Sequence, residues 1–151
     1  MRLFVQKLKN VGLEVAADDT PDAEGTAAIS IKSSDGTTLQ AFYWRLVQDG
    51  RAQLTSFDHQ KKYGLPAPID AKKQVSSRLA GKICRNVQFD GETGDLTFIL
   101  GETSKLQVFN FTGYEIWTLR HLPRSGKVLG CRIVPKMLLD KKCCLMSPDH
   151  S

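Results

Sequence analysis

Short alternating apolar runs separated by turn residues dominate the sequence between residues 27 and 120. In AAISIKSSDGTTLQAFYWRL, Ile29 and Ile31 alternate with polar residues, and Asp35-Gly36 marks a turn before a second run. Alternation on both sides of an Asp-Gly pair is typical of a β-hairpin. A second Asp-Gly pair leads into a third run at residues 51 to 57. The pattern therefore predicts a three-stranded meander.

Four more strand-sized runs follow in the second half of the chain: KICRNVQFD, GDLTFIL, SKLQVFNF and YEIWTL. They predict a second meander. In the first of these runs Ile83, Val87 and Phe89 would share one face, because side chains alternate along a strand. That face, together with Phe109 and Trp117, is expected to be buried.

Helical periodicity is confined to two short segments. Apolar residues recur at helical intervals over residues 2 to 12, and an acidic loop follows from Ala17 to Thr26. Asp70 is a typical N-cap, and Val75 and Leu79 lie one turn apart after it. The predicted fold is therefore α+β: a mostly antiparallel, twisted sheet of two meanders, with one or two helices packed on one face.

One domain accounts for the whole chain. Its 151 residues, 41% hydrophobic and 25% charged, suit a single globular core. We expect residues 1–26 to form the N-terminal helix and acidic loop, residues 27–134 the core of sheet and helix, and residues 135–151 a basic C-terminal tail.

The two halves of the sequence resemble each other. Leu39 to Phe42 (LQAF) matches Leu106 to Phe109 (LQVF), and each copy then reaches a W-x-L motif, at Trp44 and at Trp117. The match favours a duplicated hairpin unit, although alternating strands also converge on such patterns.

Motifs for the common enzyme classes and for metal binding are absent from the sequence. There is no phosphate-binding glycine loop, no G-x-S-x-G and no H-E-x-x-H. The four cysteines, at spacings of 47, 12 and 1, fit neither a zinc site nor an even disulfide framework, which favours reduced thiols. No apolar run reaches the length of a membrane span, and the N-terminus lacks a signal-peptide core. We therefore expect a cytoplasmic protein with no cofactor and no metal.

Positive charge is concentrated towards the C-terminus. The net charge is +5, but residues 1–50 carry five basic and seven acidic side chains, whereas residues 101–151 carry eight and four. Such a basic region could attract an acidic partner or a phosphate backbone. Nucleic-acid binding is therefore one alternative, using Arg120, Arg124, Lys127, Arg132, Lys136, Lys141 and Lys142.

A small basic nuclease-like enzyme is another alternative. His59 and His121 could act as an acid/base pair around a phosphate, or Asp58 could orient His59 as a base. The competing interpretation is that both histidines are surface or loop-capping groups.

The segment FDHQKKYG, residues 57 to 64, combines charged and aromatic side chains just before a proline-rich connection. This composition is typical of protein recognition, where tyrosine supplies contact area and charges supply orientation. Glu115, an isolated acid beside Tyr114, is either a rim charge or a partner for Arg45. The candidate partner-binding residues are Arg45, Asp58, His59, Lys61, Lys62, Tyr63 and Glu115.

Between residues 27 and 120 the chain resembles a group of small uncharacterised bacterial proteins. The resemblance is carried by Trp44-Arg45-Leu46, Asp58, Leu79-Ala80-Gly81, Gly94-Asp95-Leu96, Leu106 to Phe109 and Tyr114 to Trp117. These proteins look like immunity proteins of polymorphic or contact-dependent growth inhibition toxins.

The resemblance implies a cytoplasmic, non-enzymatic protein that binds and neutralises a cognate toxin domain by direct contact. Immunity proteins against nuclease toxins are often acidic, whereas this chain is basic. The toxin would then present an acidic face, or the acidic segment Asp18 to Glu24 would make the contact.

Overall fold

One antiparallel sheet dominates the part of the molecule that the structure describes. The computed structural model describes residues 8–18, 26–34, 36–110, 117–121 and 131–133. Within them the sheet has ten strands in the order β10-β9-β3-β2-β1-β6-β7-β8-β4-β5. The strands are β1 (Val11–Ala17), β2 (Ile29–Ser33), β3 (Thr37–Ala41), β4 (Trp44–Gln48), β5 (Arg51–Thr55), β6 (Ile83–Phe89), β7 (Leu96–Leu100), β8 (Ser104–Val108), β9 (Trp117–His121) and β10 (Cys131–Ile133).

The sheet consists of two half-sheets that meet at a short ladder between β1 and β6. The first half-sheet is β10-β9-β3-β2-β1 and the second is β6-β7-β8-β4-β5. Buried apolar side chains of both belong to one hydrophobic cluster. The Trp44 indole on β4 donates a 2.7 Å hydrogen bond to the Ala27 carbonyl, which precedes β2. Because β4 and β2 are far apart in the strand order, the sheet must curve around the common core.

A single α-helix is present in the described residues, α1 (Ala71–Leu79), and it confirms the predicted helix near residues 70 to 80. The Asp70 carboxylate accepts a hydrogen bond from the Lys73 amide and so caps the first turn. Val75 and Leu79 are fully buried against the sheet, where the helix contacts β1 and β5. Gly81 has a φ of 71°, the left-handed conformation that ends helices.

In chain order, strands β1 to β5 form one structural repeat and strands β6 to β10 form a second. β2 and β3 form a hairpin, as do β7 and β8, and Leu39 takes the position that Leu106 takes in the other repeat. After each hairpin the chain crosses over: β4 pairs with β8, and β9 pairs with β3. If each strand is replaced by its equivalent in the other repeat, the strand order is reversed and otherwise unchanged. This is expected for two units related by an approximate twofold axis.

The tryptophans of the two W-x-L motifs follow the same relation. Trp44 donates to the carbonyl of Ala27, and Trp117 donates over 2.9 Å to the carbonyl of Gly94. Ala27 lies two residues before β2, and Gly94 lies two residues before β7. Each motif therefore forms the same bond between one half-sheet and the other.

Sheet topology corrects the two predicted meanders. The apolar run from Leu39 to Leu46 is two strands, interrupted at Phe42 and Tyr43, and its second strand pairs in the other half-sheet. Likewise β9 does not lie beside β8. The antiparallel, sheet-dominated α+β class is confirmed.

Two local predictions are also corrected. Residues 1–7 of the predicted N-terminal helix lie outside the described residues, but Val11 and Gly12 at its end belong to β1. In β6 the pairing shifts between Cys84 and Asn86, so Cys84 is buried and Ile83 is exposed. A β-bulge inserts one unpaired residue and reverses the alternation, which explains why Ile83 does not share the buried face of Val87.

Candidate binding surface

The outer face of the second half-sheet carries a row of polar side chains that leads to the loop after β5. Neighbouring strands place Thr97, Gln107, Arg45 and Thr55 side by side in register. They point away from the core because their sequence neighbours, such as Leu46 and Leu106, are buried.

Arg45 is held firmly in this row. Its guanidinium donates two hydrogen bonds, of 2.9 and 2.8 Å, to the side-chain oxygen of Gln107. The guanidinium carbon also lies 5.1 Å from the centroid of the Phe109 ring, a cation–π distance. Arg45 is thus paired with Gln107 and Phe109. Glu115, its suggested partner, lies outside the described residues.

Asp58 organises the loop that follows β5. Its carboxylate accepts hydrogen bonds from the amide of Thr55 at 2.7 Å and from the hydroxyl of Thr55 at 2.9 Å. The Tyr63 hydroxyl donates to the second carboxylate oxygen at 3.1 Å, and this bond raises the pKa of Tyr63. Asp58 therefore ties the loop to the edge strand and holds Tyr63 in place.

His59 has a structural partner in the loop. Its Nδ1 accepts a 3.2 Å hydrogen bond from the Ala71 amide, at the start of α1, and lies 3.9 Å from an Asp70 oxygen. This contact agrees with the loop-capping interpretation of His59. Nothing in it tests the proposed pairing with His121.

Backbone bonds make the loop compact. The Gln60 amide donates to the Ile69 carbonyl, and the Ile69 amide donates to the Lys61 carbonyl, both at 2.8 Å. Gln60 and Tyr63 have φ angles of 62° and 43°, which residues other than glycine rarely adopt. Such conformations persist only where surrounding bonds hold them, and they are concentrated at functional sites.

Large apolar side chains project from this loop into solvent. Phe57, Tyr63 and Leu65 are 47%, 69% and 51% exposed. The ring of Phe57 packs against Tyr43, with centroids 5.6 Å apart, and the Tyr43 carbonyl accepts from the Phe109 amide at 2.9 Å. We call this surface the binding face: Tyr43, Arg45, Phe57, Asp58, Lys61, Lys62, Tyr63, Leu65, Gln107 and Phe109.

The structure brings most of the sequence-predicted residues onto the binding face. Arg45 and Tyr63 are joined through Thr55 and Asp58, and the exposed Lys61 and Lys62 lie in the same loop. Sequence reasoning missed Gln107 and misplaced Phe109 in the core. The repeated LQ-x-F pattern could have identified Gln107, because it places this residue on the outer face near the end of a strand.

Few features of the described residues point to other kinds of site. They contain no group of three or more histidine, cysteine or acidic side chains that could hold a metal ion. No helix among them is long and apolar enough to cross a membrane. Apart from Arg120 and Arg132, the basic side chains proposed for nucleic-acid binding lie outside this part of the chain, so that alternative stays a prediction.

Comparisons with protein-family models, with curated proteins and with solved structures find no match to this chain.

Proposed function

We propose that this chain is a non-enzymatic immunity protein of the cytoplasm, which neutralises a bacterial toxin domain by binding it through the binding face. The observation that carries the proposal is the loop of residues 56–70, whose backbone is held by hydrogen bonds and which presents exposed aromatic and apolar side chains. An ordered loop loses little conformational entropy on association, so its contacts contribute more fully to affinity.

The residue types on the binding face are those that dominate protein interfaces. Tyrosine and arginine are enriched among residues whose truncation weakens binding most, and large apolar neighbours exclude water around them. Here Tyr63 and Arg45 are both oriented by hydrogen bonds, while Phe57 and Leu65 supply apolar area.

The charge of the loop favours an acidic partner. Lys61 and Lys62 are exposed next to Tyr63. The two carboxylates of the loop are both engaged: Asp58 by Thr55 and Tyr63, and Asp70 by the Lys73 amide. Complementary charges of this kind raise the association rate and select among partners. A toxin domain with an acidic contact surface therefore fits the net charge of +5 better than a basic one.

Protection of cells tests the proposal. Cells poisoned by the cognate toxin domain, sought among the products of neighbouring genes, should survive when the chain is present, and the double variant Tyr63→Ala/Leu65→Ala should lose that protection. Removing two central contacts should weaken binding by roughly 2 to 4 kcal/mol. Affinity is measured by titration calorimetry with a catalytically inactive toxin domain.

Ile83→Ala is the matched control, because Ile83 is also an exposed apolar side chain but lies outside the binding face. It should protect cells as well as the parent chain. Full protection by the folded Tyr63→Ala/Leu65→Ala variant would place the contact elsewhere and contradict the proposal.

A further inference from the structure

The outer faces of the two half-sheets carry clefts at corresponding places. The first cleft, about 200 Å³, lies on β2, β3 and β9. The second, about 380 Å³, lies on β6, β7 and β8. Three pairs of lining residues occupy equivalent positions in the two repeats: Asp18 and Asp90, Ser30 and Thr97, Gln40 and Gln107. The two repeats therefore carry similar polar clefts at the same place.

The two half-sheets differ in the arginine that lies near the shared glutamine. In the second half-sheet Arg45, opposite Gln107, donates both of its bonds to that residue. In the first half-sheet the position opposite Gln40 is Thr118, and the arginine of the cleft is Arg120, two residues further along β9. The Arg120 side chain is exposed, and its guanidinium has no hydrogen bond or ion pair to any described residue. Its guanidinium is available to a ligand.

Thr118 supplies the second observation. This residue lines the first cleft and is only 7% exposed, yet its hydroxyl oxygen has no hydrogen-bond partner among the residues described. Buried hydroxyl groups nearly always have a partner, and one without a partner destabilises the fold. A ligand that accepts a hydrogen bond from Thr118 would remove this deficit.

We propose that the first cleft binds a small oxyanion, a carboxylate or a phosphate, between the Arg120 guanidinium and the Thr118 hydroxyl. A guanidinium can donate two parallel hydrogen bonds to either anion, and hydroxyl groups donate to the remaining oxygens. Thr38 lies opposite Arg120 in the ladder and adds another hydroxyl to the lining. The cleft, of about 200 Å³, is smaller than the roughly 300 to 1,000 Å³ of a pocket for a drug-sized ligand, so the ligand is small.

Nuclear magnetic resonance of the isotope-labelled full chain tests the proposal. Sodium acetate and sodium phosphate are titrated separately, with sodium chloride at the same ionic strength as the reference. The backbone amide signals of Thr118 and Arg120 should shift and saturate with a dissociation constant below about 1 mM for at least one oxyanion. A response to acetate alone identifies a carboxylate ligand, and a response to phosphate alone identifies a phosphate ligand.

Two variants separate ligand binding from a structural role. Arg120→Gln should weaken binding about tenfold or more, equivalent to losing about 1.4 kcal/mol. Thr118→Val keeps the shape of the side chain; it should weaken binding, yet raise the melting temperature of the ligand-free protein, because an unpartnered hydroxyl is removed. Arg51→Gln, an exposed arginine on β5, should change neither quantity.

Three results would overturn the proposal. The first is that neither oxyanion gives a saturable shift beyond that of chloride. The second is that Arg120→Gln binds as the parent does. The third is a lower melting temperature with unchanged affinity in Thr118→Val, which would show that the hydroxyl has a structural partner within the chain.

Discussion

Two buried tryptophans connect the half-sheets through single hydrogen bonds. Trp44 and Trp117 are both almost fully buried, and each indole donates to a carbonyl in front of a hairpin of the opposite half-sheet. A buried carbonyl that loses its donor is left without water to replace it. These bonds are therefore sites where a small chemical change has a large effect on stability.

Replacing either tryptophan by phenylalanine removes the hydrogen-bond donor, while the change in side-chain volume is modest. We expect Trp44→Phe to lower the free energy of unfolding by about 2 kcal/mol, from the unsatisfied carbonyl and the lost packing. Trp117→Phe should have a similar effect, because the two bonds are equivalent. Denaturant unfolding followed by circular dichroism measures both, and a loss below about 0.5 kcal/mol in either would contradict the structural role.

Cys84 should make stability depend on pH in the alkaline range. Burial raises the pKa of its thiol from 9.0 to about 11. The unfolded chain therefore loses this proton at lower pH than the folded chain, so stability is complete below pH 9 and falls as the pH rises towards 11. Unfolding by urea at several pH values measures the slope. Cys84→Ala should show a shallower fall over the same range, and an identical slope would contradict the assignment.

At the scale of elements, the sequence predicts structure wherever the signal is local. The hairpin around Gly36 and the helix capped by Asp70 were both predicted, because turn residues and periodicity lie within a few positions of each other. The partners of β4 and β9 were not, because Phe42 and Tyr43 continue the apolar run and pairing across the molecule leaves no local mark. β1 was missed since its short alternation follows a segment with helical spacing.

For the binding face, too, the sequence predicted individual residues but not their arrangement. Tyr63 and the lysines of the loop were predicted from composition, and Arg45 from its motif. Their arrangement was not, because the bond from Arg45 to Gln107 joins residues that only the exchanged strands bring together.

The end of α1 depends on a left-handed glycine. Gly81 has a φ of 71°, where an added Cβ meets no neighbour but the backbone itself is strained. Gly81→Ala should therefore lower the free energy of unfolding by about 1 to 2 kcal/mol. Gly91→Ala is the control, because Gly91 has open space around it and no left-handed φ. It should change stability by no more than about 0.5 kcal/mol in the same thermal or urea unfolding experiment.

At the scale of the whole molecule, neither repeat is complete without the other. β3 of the first repeat pairs with β9 of the second, and β8 of the second pairs with β4 of the first. Both repeats also contribute to the one hydrophobic cluster. Each structural repeat is thus equivalent to a subunit of a strand-exchanged dimer.

Cutting the chain between residues 64 and 65, in the exposed connection between the repeats, tests this dependence. Fragments 1–64 and 65–151, expressed together, should copurify as a one-to-one complex, because the exchanged strands and shared core are retained. Each fragment expressed alone should be unfolded or aggregated. Size-exclusion chromatography and the dispersion of amide resonances measure the outcome. A folded, monomeric 1–64 fragment would show that the repeat is autonomous.

The exchange of strands also affects synthesis on the ribosome. Leu39 pairs with Leu119, about 80 residues later in the chain. Because the N-terminus emerges first, the outer edge of β3 is made long before its partner exists. An unpaired strand edge is a template for aggregation, and long-range pairing is slow. During translation the outer edge of β3 therefore has no partner strand until β9 has left the ribosome.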